Sequence, residues 1–238
     1  MSIASKIAQV RHRINEAEQL AGRQPGDVVL QLAAKYQPLS AIIEALEAGV
    51  CDFGQNIVSQ LVDTEIGLAK HGAPAHSTTV IGHVQSNKLA RAMDYASRID
   101  TVDSLQMATR IARRQSARIN AGYASGPFSV LIQVNSASAS SQYGVRPDHA
   151  RMLAEQIADL DLLRLEGLMT IGAHTDNEAD IRRSFALTRA LLDSMTADGT
   201  VQGHVLSMGM THDLELAIAE GSTLVRVGTA VFGPRPAK

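Results

Sequence analysis

Residues 28–38 read "VVLQLAAKYQP". The first seven are almost wholly apolar, the composition of a strand buried on both faces, and such strands belong to parallel sheets covered by helices. Lys35 then follows with no polar approach. The plainest account is that the strand surfaces there and the lysine reaches water along its own methylenes. Any further role must come from what the other strand ends bring near it.

Before this stretch, Ile3, Ile7, Val10, Ile14 and Ala17 recur at steps of three and four, which predicts an amphipathic helix closed by Gly22 and Pro25. After it, strands and helices alternate. A helix over 39–48 follows the first strand (28–34). "VCDFG" is a second strand ahead of a helix starting near Asn56, "STTVIG" a third ahead of "SNKLARAM", and "RIDTVD" a fourth ahead of a long helix N-capped by Ser104. The second half repeats the scheme with "FSVLIQVN", "RLEGLMTIG", "HVLSMG" and "TLVRVG", and with helices over 147–160, about 178–195 and "DLELAIAE". Such alternation implies parallel βα units, and eight of them in 238 residues fit a closed (β/α)8 TIM barrel of the α/β class with an extra N-terminal helix. An open doubly wound sheet is disfavoured because no GxGxxG follows the first strand. No Pro/Gly/Ser-rich linker interrupts the pattern, so one domain is expected over 1–238.

Composition bounds the function. The chain is 45% apolar with only 3% aromatic residues and no tryptophan, so aliphatic side chains and methionine must fill a sizeable core. A net charge of −2 argues against nucleic acid or a membrane surface as the main partner. Cys51 is the only cysteine, which rules out an internal disulfide and fits a reducing cytosol. The apolar residues of the N-terminus are dispersed rather than blocked, unlike a signal peptide, and no apolar run is long enough to span a bilayer. A cytoplasmic protein is expected.

Catalytic and binding groups of such barrels gather at the C-terminal strand ends. Here these carry Lys35, then "FGQN" with Gln55 and Asn56, "IGHVQSNK", Asn135, "TIGAH", "LSMGMTHD" and "VRVGTAVFG". The last two loops place Ser207, Gly209, Gly228 and Thr229 where a phosphate is commonly held on backbone N–H groups. Tight-turn chemistry alone would also use these residues. Arg226 stands inside an apolar strand, where an arginine needs a partner, either an internal carboxylate or a ligand. Lysine, phosphate cradle and buried arginine together suggest a phosphorylated carbonyl compound captured as a Schiff base. A sugar-phosphate aldolase and a pyridoxal-phosphate protein both fit.

The succession "LAAKYQP", "FGQNIVSQ", "IGHVQSNK", "VLIQVNSASASSQYGV", "LEGLMTIG" and "LSMGMTHDLELAIAEGSTLVRVGTAVFG" resembles the pyridoxal phosphate homeostasis family, small relatives of the alanine racemase barrel. The resemblance runs in order from Val28 to Gly233. It implies a fold-type III barrel holding pyridoxal 5′-phosphate, a role in vitamin B6 homeostasis, and no established turnover. By position, Lys35 would hold the cofactor as a Schiff base and Arg226 would face the pyridine nitrogen. Ser207 and the Gly228–Thr229 backbone would bind the phosphate, and Asn56 would lie beside the ring. No catalytic residue and no metal is expected, and the partners implied are the cofactor itself and apo-enzymes that accept it from a monomeric carrier. Three departures from the family pattern are Ala34 for serine, and Gln55 and Ile57 for a glutamate and a tyrosine. The latter two remove hydrogen bonds expected near the cofactor.

The larger amino-acid racemases draw a second base from a separate C-terminal domain, and this sequence ends at Lys238, so racemase activity is expected to be weak at most. Thr211, His212 and Asp213 read as the capped start of a helix, since consecutive residues cannot form a triad relay. His83 reads as a solvated loop histidine, and Arg110, Arg114 and Arg118 as a solvated helix face. "NSASASSQYG" reads as a mobile loop near the barrel mouth.

Overall fold

The computed structural model describes residues 1–234. The strands are β1 (Val29–Ala33), β2 (Asp52–Gln55), β3 (Ser77–Val80), β4 (Arg98–Val102), β5 (Phe128–Gln133), β6 (Leu163–Met169), β7 (Val205–Ser207) and β8 (Leu224–Val227). They pair in chain order, all parallel, and β8 closes the barrel on β1 in a register running from Val29↔Leu224 to Leu32↔Val227. Helix α1 (Ile3–Leu20) precedes β1. Behind the strands come α2 (Leu39–Glu47), α3 (Val58–His71), α4 (Leu89–Tyr95), α5 (Leu105–Asn120), α6 (Pro147–Ala158), α7 (Glu178–Ala197), α8 (Leu214–Ala219) and α9 (Thr229–Phe232). The (β/α)8 reading of the alternation therefore holds. The run "SNKLARAM" divides into a 3-10 turn at Ser86–Lys88 and α4. No helix of the described residues is long and apolar enough to cross a membrane.

Ser2 caps α1 by accepting the Ser5 N–H, and Ile7, Val10, Ile14 and Ala17 bury one stripe against the flank formed by α2, α8 and α9. Glu18, fully buried, accepts the N–H groups of Val28 at 2.7 Å and Gly26 at 3.1 Å, which fixes the turn into β1. Outward-facing strand residues such as Leu32, Phe53, Ile99, Ile132 and Val225 pack under the helices. Each burial of that size contributes about 1.5–3 kcal/mol.

Hydrogen bonds that skip a strand trace the lumen. Gln31 on β1 donates to Thr79 Oγ1 on β3 at 2.9 Å, passing over Gly54 of β2. A Cβ at Gly54 would lie 2.9 Å from Gln31 Oε1, so glycine makes room for that crossing. Towards the N-terminal end, Arg98 on β4 grips Asp100 at 2.6 and 3.0 Å and reaches Glu166 on β6 at 3.5 Å. The β5–β6 register steps from Val130↔Leu165 to Leu131↔Gly167, leaving Glu166 as the extra residue of a bulge. The closed lower lumen is thus ionic, and the upper end opens at the strand C-termini.

Candidate active site at the barrel mouth

Two residues beyond the end of β1, Lys35 sits in a β-turn in which Ala34 O accepts the Gln37 N–H at 3.1 Å. Tyr36, next in that turn, is left-handed with φ 63°, and Lys35 Nζ lies 5.8 Å from its ring centroid. A cavity of about 190 Å³ opens there, and Lys35, Asn56, Arg226, Gly228 and Thr229 all line it. Gln37, Ile81, Met169 and Met210 complete much of the wall.

Ser207 is placed differently. It is fully buried, lies behind the cavity wall, and accepts a hydrogen bond from Arg226 Nη1 at 2.7 Å. Arg226 Nη2 donates to Thr170 O at 2.8 Å. The strand arginine thus rests on a hydroxyl and a carbonyl rather than on a carboxylate, because Asp100 inside the lumen is already gripped by Arg98. Burial pushes the Arg226 guanidinium down to about 10, with Asp100 and Asp213 acting in the opposite direction. At neutral pH it remains a cation facing the cavity. Thr170 was not foreseen, since nothing in a sequence marks a backbone carbonyl two strands away.

Gly228 is the N-cap of α9, and its carbonyl accepts the Val231 and Phe232 N–H groups at 3.1 and 2.9 Å, which leaves the N–H groups of Thr229 and Ala230 at the head of the turn. A Cβ at Gly228 would come within 3.3 Å of Ala33 O, so glycine keeps this part of the wall close to β1. Thr229 Oγ1 donates to Thr211 Oγ1 at 3.2 Å and ties the β8 loop to the β7 loop. In the latter, Asp213 stands at the N-cap position of α8 but does not cap it with its side chain, because its Oδ1 accepts the N–H of Met210 in the preceding loop at 2.6 Å. Asn56 is braced from behind by Gly82, where a Cβ would lie 2.4 Å from Asn56 O.

Two sequence readings change, those of Gln55 and of the α5 arginines. Gln55 does not stand beside Asn56 in the cavity. Its Nε2 is within 3.5 Å of Ala34 O and of Thr64 Oγ1 on α3, because successive strand residues face opposite sides. The Gln55 departure therefore alters the strand–helix layer, not the cavity wall. His83 is exposed, as a solvated loop histidine would be, and stacks on the exposed Tyr143 with ring centroids 4.4 Å apart. Within the small-residue loop, Asn135 Nδ2 donates to Ala139 O and Gln142 O, and Gln133 Nε2 donates to Tyr143 O. On α5, Arg110 bonds Ser86 while Arg114 and Arg118 reach Asp94 on α4, so this face joins two helices.

The alanine racemase N-terminal domain model matches residues 6–236. Pyridoxal phosphate homeostasis proteins of Escherichia coli and Pseudomonas aeruginosa are 37% and 38% identical, each over 98% of this chain and over 97% and 96% of their own. The chain belongs to the pyridoxal phosphate homeostasis family. Among solved structures, PipY of Synechococcus elongatus with pyridoxal phosphate bound is similar at 29% identity and a TM-score of 0.81, over 98% of this chain and 100% of PipY. The matched residues include all eight strands and their C-terminal ends.

Proposed function

We propose that this chain binds pyridoxal 5′-phosphate at the barrel mouth, tethers it to Lys35, and serves as a cytoplasmic, monomeric carrier that passes it to apo-enzymes. The observation that carries this reading is the shared cavity of Lys35, Arg226 and the Gly228–Thr229 turn. Its donor set matches the cofactor group by group. A primary amine suits an aldehyde, a buried cation suits a ring nitrogen with a free lone pair, and the backbone N–H groups of Thr229 and Ala230 suit a phosphate. When bound, the cofactor supplies an aldehyde open to covalent capture and a ring able to withdraw electrons. Lys35 provides the capturing nitrogen. Arg226, held on Ser207 and Thr170, keeps its proton and so leaves the ring nitrogen unprotonated, which favours storage over bond cleavage. Ser207 Oγ accepts from Arg226 and still has its own hydroxyl proton to donate. The bound form of PipY and the names of the bacterial relatives support the same cofactor.

Borohydride reduction of the protein mixed with pyridoxal phosphate, followed by peptide mass mapping, tests the assignment. A pyridoxyl mass is expected on the peptide carrying Lys35 and should be lost in Lys35→Ala with the fold intact. A label spread over Lys6, Lys70 and Lys88 instead would refute it.

A further inference from the structure

The backbone that carries Lys35 is strained. Ala34 O accepts the Gln37 N–H at 3.1 Å, and within this four-residue turn Tyr36 alone has positive φ, at 63°. That combination defines a type II turn, whose third position favours glycine or asparagine. A bulky side chain holds positive φ only where its surroundings over-determine it. Types I and II differ by a flip of the central peptide, here the one joining Lys35 C=O to the Tyr36 N–H. Both ends of that peptide are held. The Tyr36 N–H donates to Gln60 Oε1 at 2.9 Å, and Gln37 Nε2 donates to Lys35 O at 3.4 Å. Gln60 comes from the first turn of α3, whose N-cap Ile57 follows Asn56, so the bond also ties the Lys35 turn to the helix that starts two residues past Asn56.

We propose that Gln60, with Gln37, clamps the Lys35–Tyr36 peptide in the type II orientation, which makes Gln60 the positioning residue for the Lys35 amine. Releasing the clamp lets the peptide flip to the orientation a tyrosine prefers. Lys35 then divides its time between two backbone states, and apparent affinity falls with the fraction left in the competent one. The inference rests on the reading of Lys35 as the cofactor's tether.

The test uses the full chain with pyridoxal phosphate as probe. Gln60→Ala should weaken capture at Lys35, followed as visible absorbance during titration, by roughly tenfold. It should also speed hydrogen exchange of the Tyr36 amide in the cofactor-free protein. Gln60→Glu keeps a side-chain oxygen to accept the same N–H and should restore both readouts. Tyr36→Gly in the Gln60→Ala background should recover most of the capture, because glycine occupies positive φ without strain. Gln60 is half-buried on a helix surface, so circular dichroism should show every variant folded. The clamp is disproved if Gln60→Ala leaves capture and exchange unchanged, or if Gln60→Glu is as impaired as Gln60→Ala. Should the wild-type protein place no pyridoxyl group on Lys35, the tether reading fails, while exchange at the Tyr36 amide still decides the clamp.

Discussion

Ser207 supports the site from behind, and its removal should be felt before any cofactor is added. Ser207→Ala deletes the oxygen 2.7 Å from Arg226 Nη1 and leaves a buried guanidinium with one fewer acceptor. Unsatisfied buried donors cost about 1–3 kcal/mol, so urea unfolding of the cofactor-free variant should show a loss in that range. A loss near zero would mean that Arg226 finds another acceptor. Lys35 and Arg226 were readable in the sequence for a related reason: a charge that interrupts an apolar strand demands an explanation. Asn56, Gly228 and Thr229 were readable from their places at strand ends. Gln55 was misplaced because its neighbour's role was extended to it against the alternation of strand faces. Gln60 was invisible, since its partner is a backbone N–H in a conformation that the letter tyrosine does not advertise. Thr170 escaped for the same reason, acting through a carbonyl that every residue possesses.

The bulge in β6 carries the glycine with the least room for a side chain among the described residues. Gly167 has φ 149°, and a Cβ there would lie 1.9 Å from Val205 O on the neighbouring strand. Gly167→Ala must push β7 aside or undo the bulge that turns Glu166 towards Arg98 and Ser129, where Ser129 donates to Glu166 at 2.9 Å. A destabilisation of more than about 3 kcal/mol is expected from chemical denaturation, and a near-neutral result would show that the bulge is dispensable. A second junction is pH-dependent. His76, just ahead of β3, bonds Glu65 of α3 at 3.0 Å, and Thr78 donates to the other Glu65 oxygen at 2.6 Å. Burial works against the imidazolium, but the Pro74 carbonyl and Glu65 outweigh it and raise the folded-state value above the ordinary 6.5. This contribution is full below the unfolded value and is lost as pH rises through the folded one. The stability gap between wild type and His76→Ala should accordingly be larger at about pH 5.5 than at about pH 9, and a gap that does not narrow would rule out the ion pair as its source. Such junctions join elements remote in sequence, so the pattern that located the strands and helices could not pair them. Arg114 and Arg118 illustrate this, because their helical spacing fits solvent as well as it fits Asp94.

The two ends of the barrel divide the labour of holding and binding. The lower lumen, with Arg98, Asp100 and Glu166, is closed and ionic, whereas the upper end opens on Lys35 and Arg226. The eight βα units could be read directly from the alternation. Closure, which pairs β8 with β1 at the two extremes of the pattern, followed only indirectly, from the count of eight units and the missing dinucleotide motif. One consequence of closure is that α1, α8, α9 and the first and last strands share a single apolar cluster, so the chain should unfold in one cooperative transition. Pyridoxal phosphate bound as proposed would touch loops from both ends of the chain and should therefore stabilise the barrel as a unit. At a free concentration about 100 times its Kd, a ligand specific for the folded state adds about 2.7 kcal/mol. In a chain of this length that corresponds to roughly 5–10 °C in Tm. Lys35→Ala keeps the Gly228–Thr229 turn and Arg226 but removes the proposed tether, so its shift at the same pyridoxal phosphate concentration should shrink to a small fraction of the wild-type value. An equal shift in both proteins would mean that the amine adds nothing to binding. A wild-type shift confined to one of two separate transitions would mean that the barrel does not respond as one body.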